Sequence, residues 1–217
     1  MSVQMTILGS REAWLEHRRK FIGGSDSAAI VNASPHMSNV DLWEIKTGRK
    51  VQKDISEEPF VKYGSEAERY LRELYKLDFP EYKVEYIENN SWHNDLYPWA
   101  AVSLDGWLTD QDGRRGVWEC KTTNILRAGQ KSEWDDRIPN SYYVQILHEL
   151  MVTGFEFAIM TAQLRYRAGD DMFKVTKHYR VERAEVEADI DYLINAERLF
   201  WDDVISDKRP ALKLPDL

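Results

Sequence analysis

Between residues 100 and 123 the chain reads as two short runs of alternating side chains, "AAVSLDGWLTD" and "GVWECKTT", separated by a turn signal at Asp112 and Gly113. A period of two marks strands, and an Asp-Gly pair between two such runs marks a hairpin. The second run is apolar apart from an acid and a base two positions apart. Alternation puts Glu119 and Lys121 on one face and Trp118 and Cys120 on the other. Applied to the first run, it puts Ser103 and Asp105 on one face and Leu104 opposite. A hairpin can therefore bring Asp105 close to Glu119 and Lys121, with its register left open by the sequence.

The flanking segments define the fold class. Ser10 is suited to cap a first helix in "REAWLEHRRKF", with Trp14 and Leu15 inward. Two glycines end it, and Ser25 or Asp26 can cap a second helix starting near Ser27. "VDLWEIKTG" predicts a short helix closed by Gly48. Residues 57–77 carry Phe60, Ala67, Tyr70, Leu71, Leu74 and Tyr75 at helical spacing, with Glu68 on the inner side. "KVEYIEN" has strand periodicity. A helix over 139–153, strands in "FAIMTAQLRYR" and "MFKVTKHYRV", a long helix from about Ala184 to Val204 and a proline-punctuated tail complete the order. Such an order predicts an α/β (α+β) fold with a central sheet flanked by helices. At 217 residues and 43% hydrophobic, a single domain over 1–217 is expected.

No basic start leads into an apolar run, and no apolar stretch approaches the roughly 18 residues of a membrane span. With Cys120 the one cysteine, neither an intramolecular disulfide nor a thiolate-rich metal site can be built from this chain. A soluble, cytoplasmic protein is the expectation. A net charge of −8 argues against a protein that coats nucleic acid, whose affinity for phosphate comes from Lys and Arg. A nuclease is not excluded, because metal-holding carboxylates add negative charge while basic residues line one groove.

Glu-x-Lys alone is weak, since the triplet also occurs at Glu44–Lys46 and Glu81–Lys83. An ion-paired hairpin and a cation site both remain open from the residues themselves. Two close carboxylates repel unless a cation lies between them, and hard oxygen donors suit magnesium or manganese.

In this setting "SLDGWLTDQDGRRGVWECKTT" resembles the PD-(D/E)XK (restriction-endonuclease-like) nuclease core. Four segments in order, "WLEHRRKFIGGSDSAAIV", "YGSEAERYLRELY", the Asp-to-Lys core and "YYVQILHELMVTG", narrow the resemblance to the lambda exonuclease and YqaJ-like viral recombinase group. The likeness covers roughly residues 10 to 155, and Leu104 departs from the usual proline before the first aspartate. It implies that Asp105, Glu119 and the Cys120 carbonyl bind magnesium directly, with two ions and manganese able to substitute. Glu68 would support the second ion, Lys121 would position or activate water, and Gln145 would help hold the site. A terminal 5′-phosphate would meet Arg18, Ser25 and Ser103. Arginine's forked donors suit that task, and Ser25 near a helix start adds free N–H groups.

The function so implied is 5′ to 3′ exonuclease action on linear duplex DNA ends, releasing mononucleotides and leaving 3′ single strands for annealing-type recombination. The alternatives are an endonuclease or nickase with the same core, or a non-catalytic DNA-end-binding protein. By resemblance the partners are duplex DNA ends, a single-strand annealing protein and two further copies of the chain in a trimeric ring, in a bacterial or phage setting. Trp14 and Tyr142 are candidates for stacking on a terminal base, weighed against core packing. Cys120 points away from the charged face, and His148 with Glu149 lacks the second helical histidine of a zinc motif.

Overall fold

The computed structural model describes residues 2–169 and 171–213, so 214–217 at the end of the expected tail lie outside the described residues. Two sheets organise it. A small antiparallel sheet has β1 (Val3–Ile7), β3 (Asn90–Asn94) and β4 (Ala101–Val102) in that order. The larger runs β2 (Lys83–Glu85), β5 (Gly106–Thr109), β6 (Arg115–Asn124), β7 (Phe157–Ala168), β8 (Asp171–Glu182). Its neighbours are antiparallel except β6 and β7, which are parallel. Parallel neighbours need a crossover. The chain supplies it through α5 (Ala128–Ser132) and α6 (Asn140–Thr153). A mixed sheet flanked by helices is the predicted class.

The β5–β6 hairpin pairs Gly106 with Trp118 and closes through Gly113, whose φ of +79° suits glycine. Central β6 is covered on both sides. Trp118 and Cys120 pack with Leu71 and Tyr75 of α4 (Pro59–Asp78), whereas Val117 joins the main core with Ile146 and Leu150 of α6. Glu119 and Lys121 follow Val117 at alternate positions. The strand thus directs them to the α6 side.

The helical ends differ in part from expectation. Ser10 caps α1 (Arg11–Arg18), its Oγ accepting from the Ala13 N–H at 3.2 Å, but Leu15 is exposed. The second helix, α2 (Gly24–Ile30), starts earlier than predicted because extended Gly23 is its N-cap, and Asp26 Oδ2 accepts the Gly23 N–H at 3.0 Å. Ser25 and Asp26 therefore lie in its first turn. α3 (Asn39–Lys46) is capped by Ser38 and ends before Gly48. On α4, Phe60, Tyr70 and Leu74 face outward, since the helix meets the sheet along the narrow stripe of Leu71 and Tyr75. A 3-10 turn over Arg183–Glu185 leads into α7 (Glu187–Ile205). Among the described residues no helix is long and apolar enough to cross a membrane.

Candidate active site

The run "AAVSLDGWLTD" is not one strand. It leaves the small sheet after β4, crosses at Ser103–Asp105 and enters the large sheet at β5. Side chains replace the missing ladder there. Asn90 Oδ1 accepts the Leu104 N–H at 2.9 Å and its Nδ2 donates to the Leu104 carbonyl at 2.9 Å. Arg72 Nη1 donates to the Asp105 carbonyl at 2.6 Å and to Glu68 Oε1 at 3.0 Å, with its guanidinium 3.8 Å from the Tyr86 ring centre. Asp105 is thereby turned toward β6, where its Oδ2 accepts the Cys120 N–H at 3.0 Å.

Beside it, Glu119 is only 2% exposed. Its Oε1 accepts from Lys121 Nζ at 2.6 Å and from Gln145 Nε2 at 2.6 Å. Gln145 also donates to Glu149 Oε1, one helical turn along α6, at 2.8 Å. Burial, with repulsion from Glu119 and Glu68, pushes the Asp105 carboxyl well above the usual range. Burial and Glu119 do the same to Glu149, and burial raises Glu68 despite Arg72. Burial alone would lower Lys121, but Glu119 and Asp105 outweigh it and hold the ammonium protonated. The Cys120 thiol is raised by burial and sits in the apolar cluster beneath the strand, which removes it as a nucleophile.

The residues expected to meet a terminal phosphate border the same cavity, of about 680 Å³. Trp14 Nε1 donates to Ser103 Oγ at 2.7 Å, and Arg18 lies over the Trp14 ring at 4.5 Å with its Nη2 3.5 Å from Ser25 Oγ. The exposed guanidiniums of Arg11, Arg18 and Arg69 line one part of the cavity, and Asp105, Glu119, Glu149 and Glu68 another. Basic and acidic side chains thus meet in one cavity. Tyr142 is outside this lining. It packs on Trp134 at 5.5 Å, with Lys121 Nζ 5.5 Å from its ring.

Sequence reasoning missed Arg72, Asn90 and Glu149. Arg72 follows Glu68 by one turn, a visible i,i+4 signal. Nothing local marks Asn90, whose role is to satisfy a backbone segment 14 residues away.

Among the described residues no three His, Cys, Asp or Glu side chains are gathered into a finished metal shell. The donor chemistry nevertheless fits a hard divalent cation. The acidic oxygens of Asp105, Glu119, Glu68 and Glu149 outnumber the neighbouring cations Lys121 and Arg72, and buried Glu149 Oε2 has no hydrogen-bond partner among the described residues.

Known proteins resemble this chain in sequence and in fold. An uncharacterized protein, YqaJ, of Bacillus subtilis (strain 168) is 33% identical over 208 residues, covering 94% of this chain and 59% of that protein. The chain thus spans under two thirds of that relative's length. Among solved structures, the alkaline exonuclease LHK-Exo from Laribacter hongkongensis superposes with a TM-score of 0.62 at 15% identity, over 90% of this chain and 93% of that one. A phage-related exonuclease from Haemophilus somnus 129PT gives 0.55 at 12% identity, over 86% and 96%. At those identities the likeness is one of fold. The YqaJ-like viral recombinase domain model matches residues 13–156, most of the chain and every residue lining the cavity except Arg11, and the chain belongs to that family.

Proposed function

We propose that the protein is a magnesium-dependent nuclease that removes mononucleotides from 5′-phosphorylated ends of linear duplex DNA, working 5′ to 3′. The observation that carries this reading is the junction of an acidic cluster and an arginine–serine pocket in one cavity, linked through Ser103 and Asp105 two residues apart. Asp105, Glu119 and Glu68, with the Cys120 carbonyl, would hold the cations. Divalent ions bound there would supply a lowered water pKa and charge neutralisation at the reacting oxygens.

The chain's own residues do the rest. Lys121 Nζ, ion-paired with Glu119 at 2.6 Å, is placed as a donor that orients water and stabilises developing negative charge. Gln145 fixes the Glu119 carboxylate against Lys121. Arg18, Ser25 and Ser103 grip the terminal phosphate and fix how far the scissile bond lies from the acidic cluster, which selects ends over interior sites. Exposed Arg11 and Arg69 meet the following phosphates. The 3′ strand left behind is a substrate for annealing-type recombination.

The test is nucleotide release from linear duplexes carrying 5′-phosphate or 5′-hydroxyl ends, with magnesium or with chelator. Wild type should cut the phosphorylated end in magnesium and leave closed circles intact. Lys121→Ala should lose on the order of 10²–10³-fold in rate, and Arg18→Ala should lose the preference for phosphate. Equal cutting of circles points to an endonuclease, and nucleotide release by Lys121→Ala at the wild-type rate rejects the mechanism.

A further inference from the structure

Glu149 stands out as a buried acid with no structural partner for half of its carboxylate. It is fully buried in α6, and Oε1 accepts from Gln145 Nε2 at 2.8 Å while Oε2 has no partner among the described residues. The group is nonetheless part of the cavity wall. A buried carboxylate oxygen without a donor is costly, and native chains retain such groups rarely. Its surroundings keep it in place. Gly24 of α2 comes so close that a Cβ there would lie 3.3 Å from Glu149 Oε1 and 3.0 Å from Gln145 Cγ. The preceding residue, His148, turns to the other side, toward Ser27 and Glu197. Glu149 is thus wedged between α2 and Gln145, in the wall of the cavity that Asp105 and Glu119 also line.

The Gln145 amide spans two carboxylates, donating to Glu119 Oε1 at 2.6 Å and to Glu149 Oε1 at 2.8 Å. We infer that Glu149 is a further acidic ligand for a hard divalent cation, its free Oε2 taking the ion beside Glu119 and Gln145 holding the two carboxylates in register. The inference rests on the metal-dependent reading above and adds to it a donor from the helix side of the site, opposite Glu68 on α4.

Calorimetric titration of the purified full chain with manganese, in the absence of DNA, reads this directly. Glu149→Gln keeps the size of the side chain and an acceptor for Gln145 while removing the charge. Binding of the cation should weaken by about tenfold or more, and the rise in melting temperature that manganese produces in wild type should shrink accordingly. Should Glu149→Gln fail to fold, Glu149→Asp is titrated instead, and the same weakening is expected because the shorter chain withdraws the oxygen. Unchanged affinity and stoichiometry in the folded variant overturns the inference. If Asp105→Asn then still loses the cation, the metal-dependent reading stands and only the role of Glu149 falls. A wild type that takes up no manganese removes both.

Discussion

Two adjacent residues of α6 belong to buried polar clusters of opposite character. His148 meets Glu197 Oε1 at 2.7 Å and Ser27 Oγ at 3.0 Å through Nδ1, and the Ala101 carbonyl at 3.3 Å through Nε2. Trp99 Nε1 donates to the other oxygen of Glu197 at 3.2 Å. With acceptors at both ring nitrogens the imidazolium form fits best, and Glu197 raises the His148 pKa although burial alone would lower it. Glu149, one residue on, shares its surroundings with Glu119 and Asp105, and burial, with repulsion between these carboxylates, raises the pKa of both Glu149 and Asp105. A fully satisfied polar network specifies packing, whereas one that leaves an acid unmatched persists where function needs it. The His148 cluster ties α2, α6 and α7 together; the Glu149 cluster sits on what that tie holds in place.

The sharpest way to break this contrast is to remove the satisfied cluster's acid. Glu197→Ala leaves the His148 imidazolium and the Trp99 N–H without their carboxylate, and a loss of about 3 kcal/mol in unfolding free energy is expected. Urea denaturation measures it. A loss below about 1 kcal/mol, the worth of an ordinary hydrogen bond, would mean the network is not what holds α2, α6 and α7 together.

The opposite sign is expected in the cleft. Asp105→Asn keeps an acceptor for the Cys120 N–H but removes a charge that Glu119 and Glu68 repel. In chelator this variant should be more stable than wild type by about 1 kcal/mol, within the gain seen when a strained functional site is relaxed. Thermal melts of both proteins decide it. Equal or lower stability would show that the cleft carries no stored repulsion.

Part of this contrast could be read before any coordinates. The alternation in "GVWECKTT" separates Glu119 and Lys121 from Trp118 and Cys120, and the two sets do face different helices. Asp112 and Gly113 mark the turn because a positive φ favours glycine whatever surrounds it. Local signals end where distant partners take over. Asp105 is aimed by Arg72 and by the neighbouring Asn90–Leu104 clamp, not by strand alternation, and β1 forms by pairing Val3 with Asn94, far along the chain. Glu149 is hidden for another reason: α6 is buried from Ile146 through Thr153, so no polar stripe distinguishes a cavity-facing acid from its neighbours. On α4 the mismatch runs the other way, as Phe60, Tyr70 and Leu74 have core chemistry but are exposed among the described residues.

The smallest expected effect is in the pH dependence, where the two clusters differ in where the loss of stability begins. Both bind protons more tightly when folded, so stability in chelator falls as pH rises. For Asp105 and Glu149, with carboxyls held above the usual range, the fall begins above pH 4 or so, where the unfolded carboxyls ionise. For His148, whose folded pKa is raised, the contribution is complete below the ordinary value of 6.5 and is lost as pH climbs through the folded one. Glu197→Gln should therefore flatten the stability profile above about pH 6.5 and leave the fall that begins near pH 4 in place, while Asp105→Asn should reduce the fall that begins there. Urea midpoints collected from pH 4 to 9 compare the two directly. If Glu197→Gln abolishes the fall that begins near pH 4, the two clusters are a single electrostatic unit and their division along α6 fails.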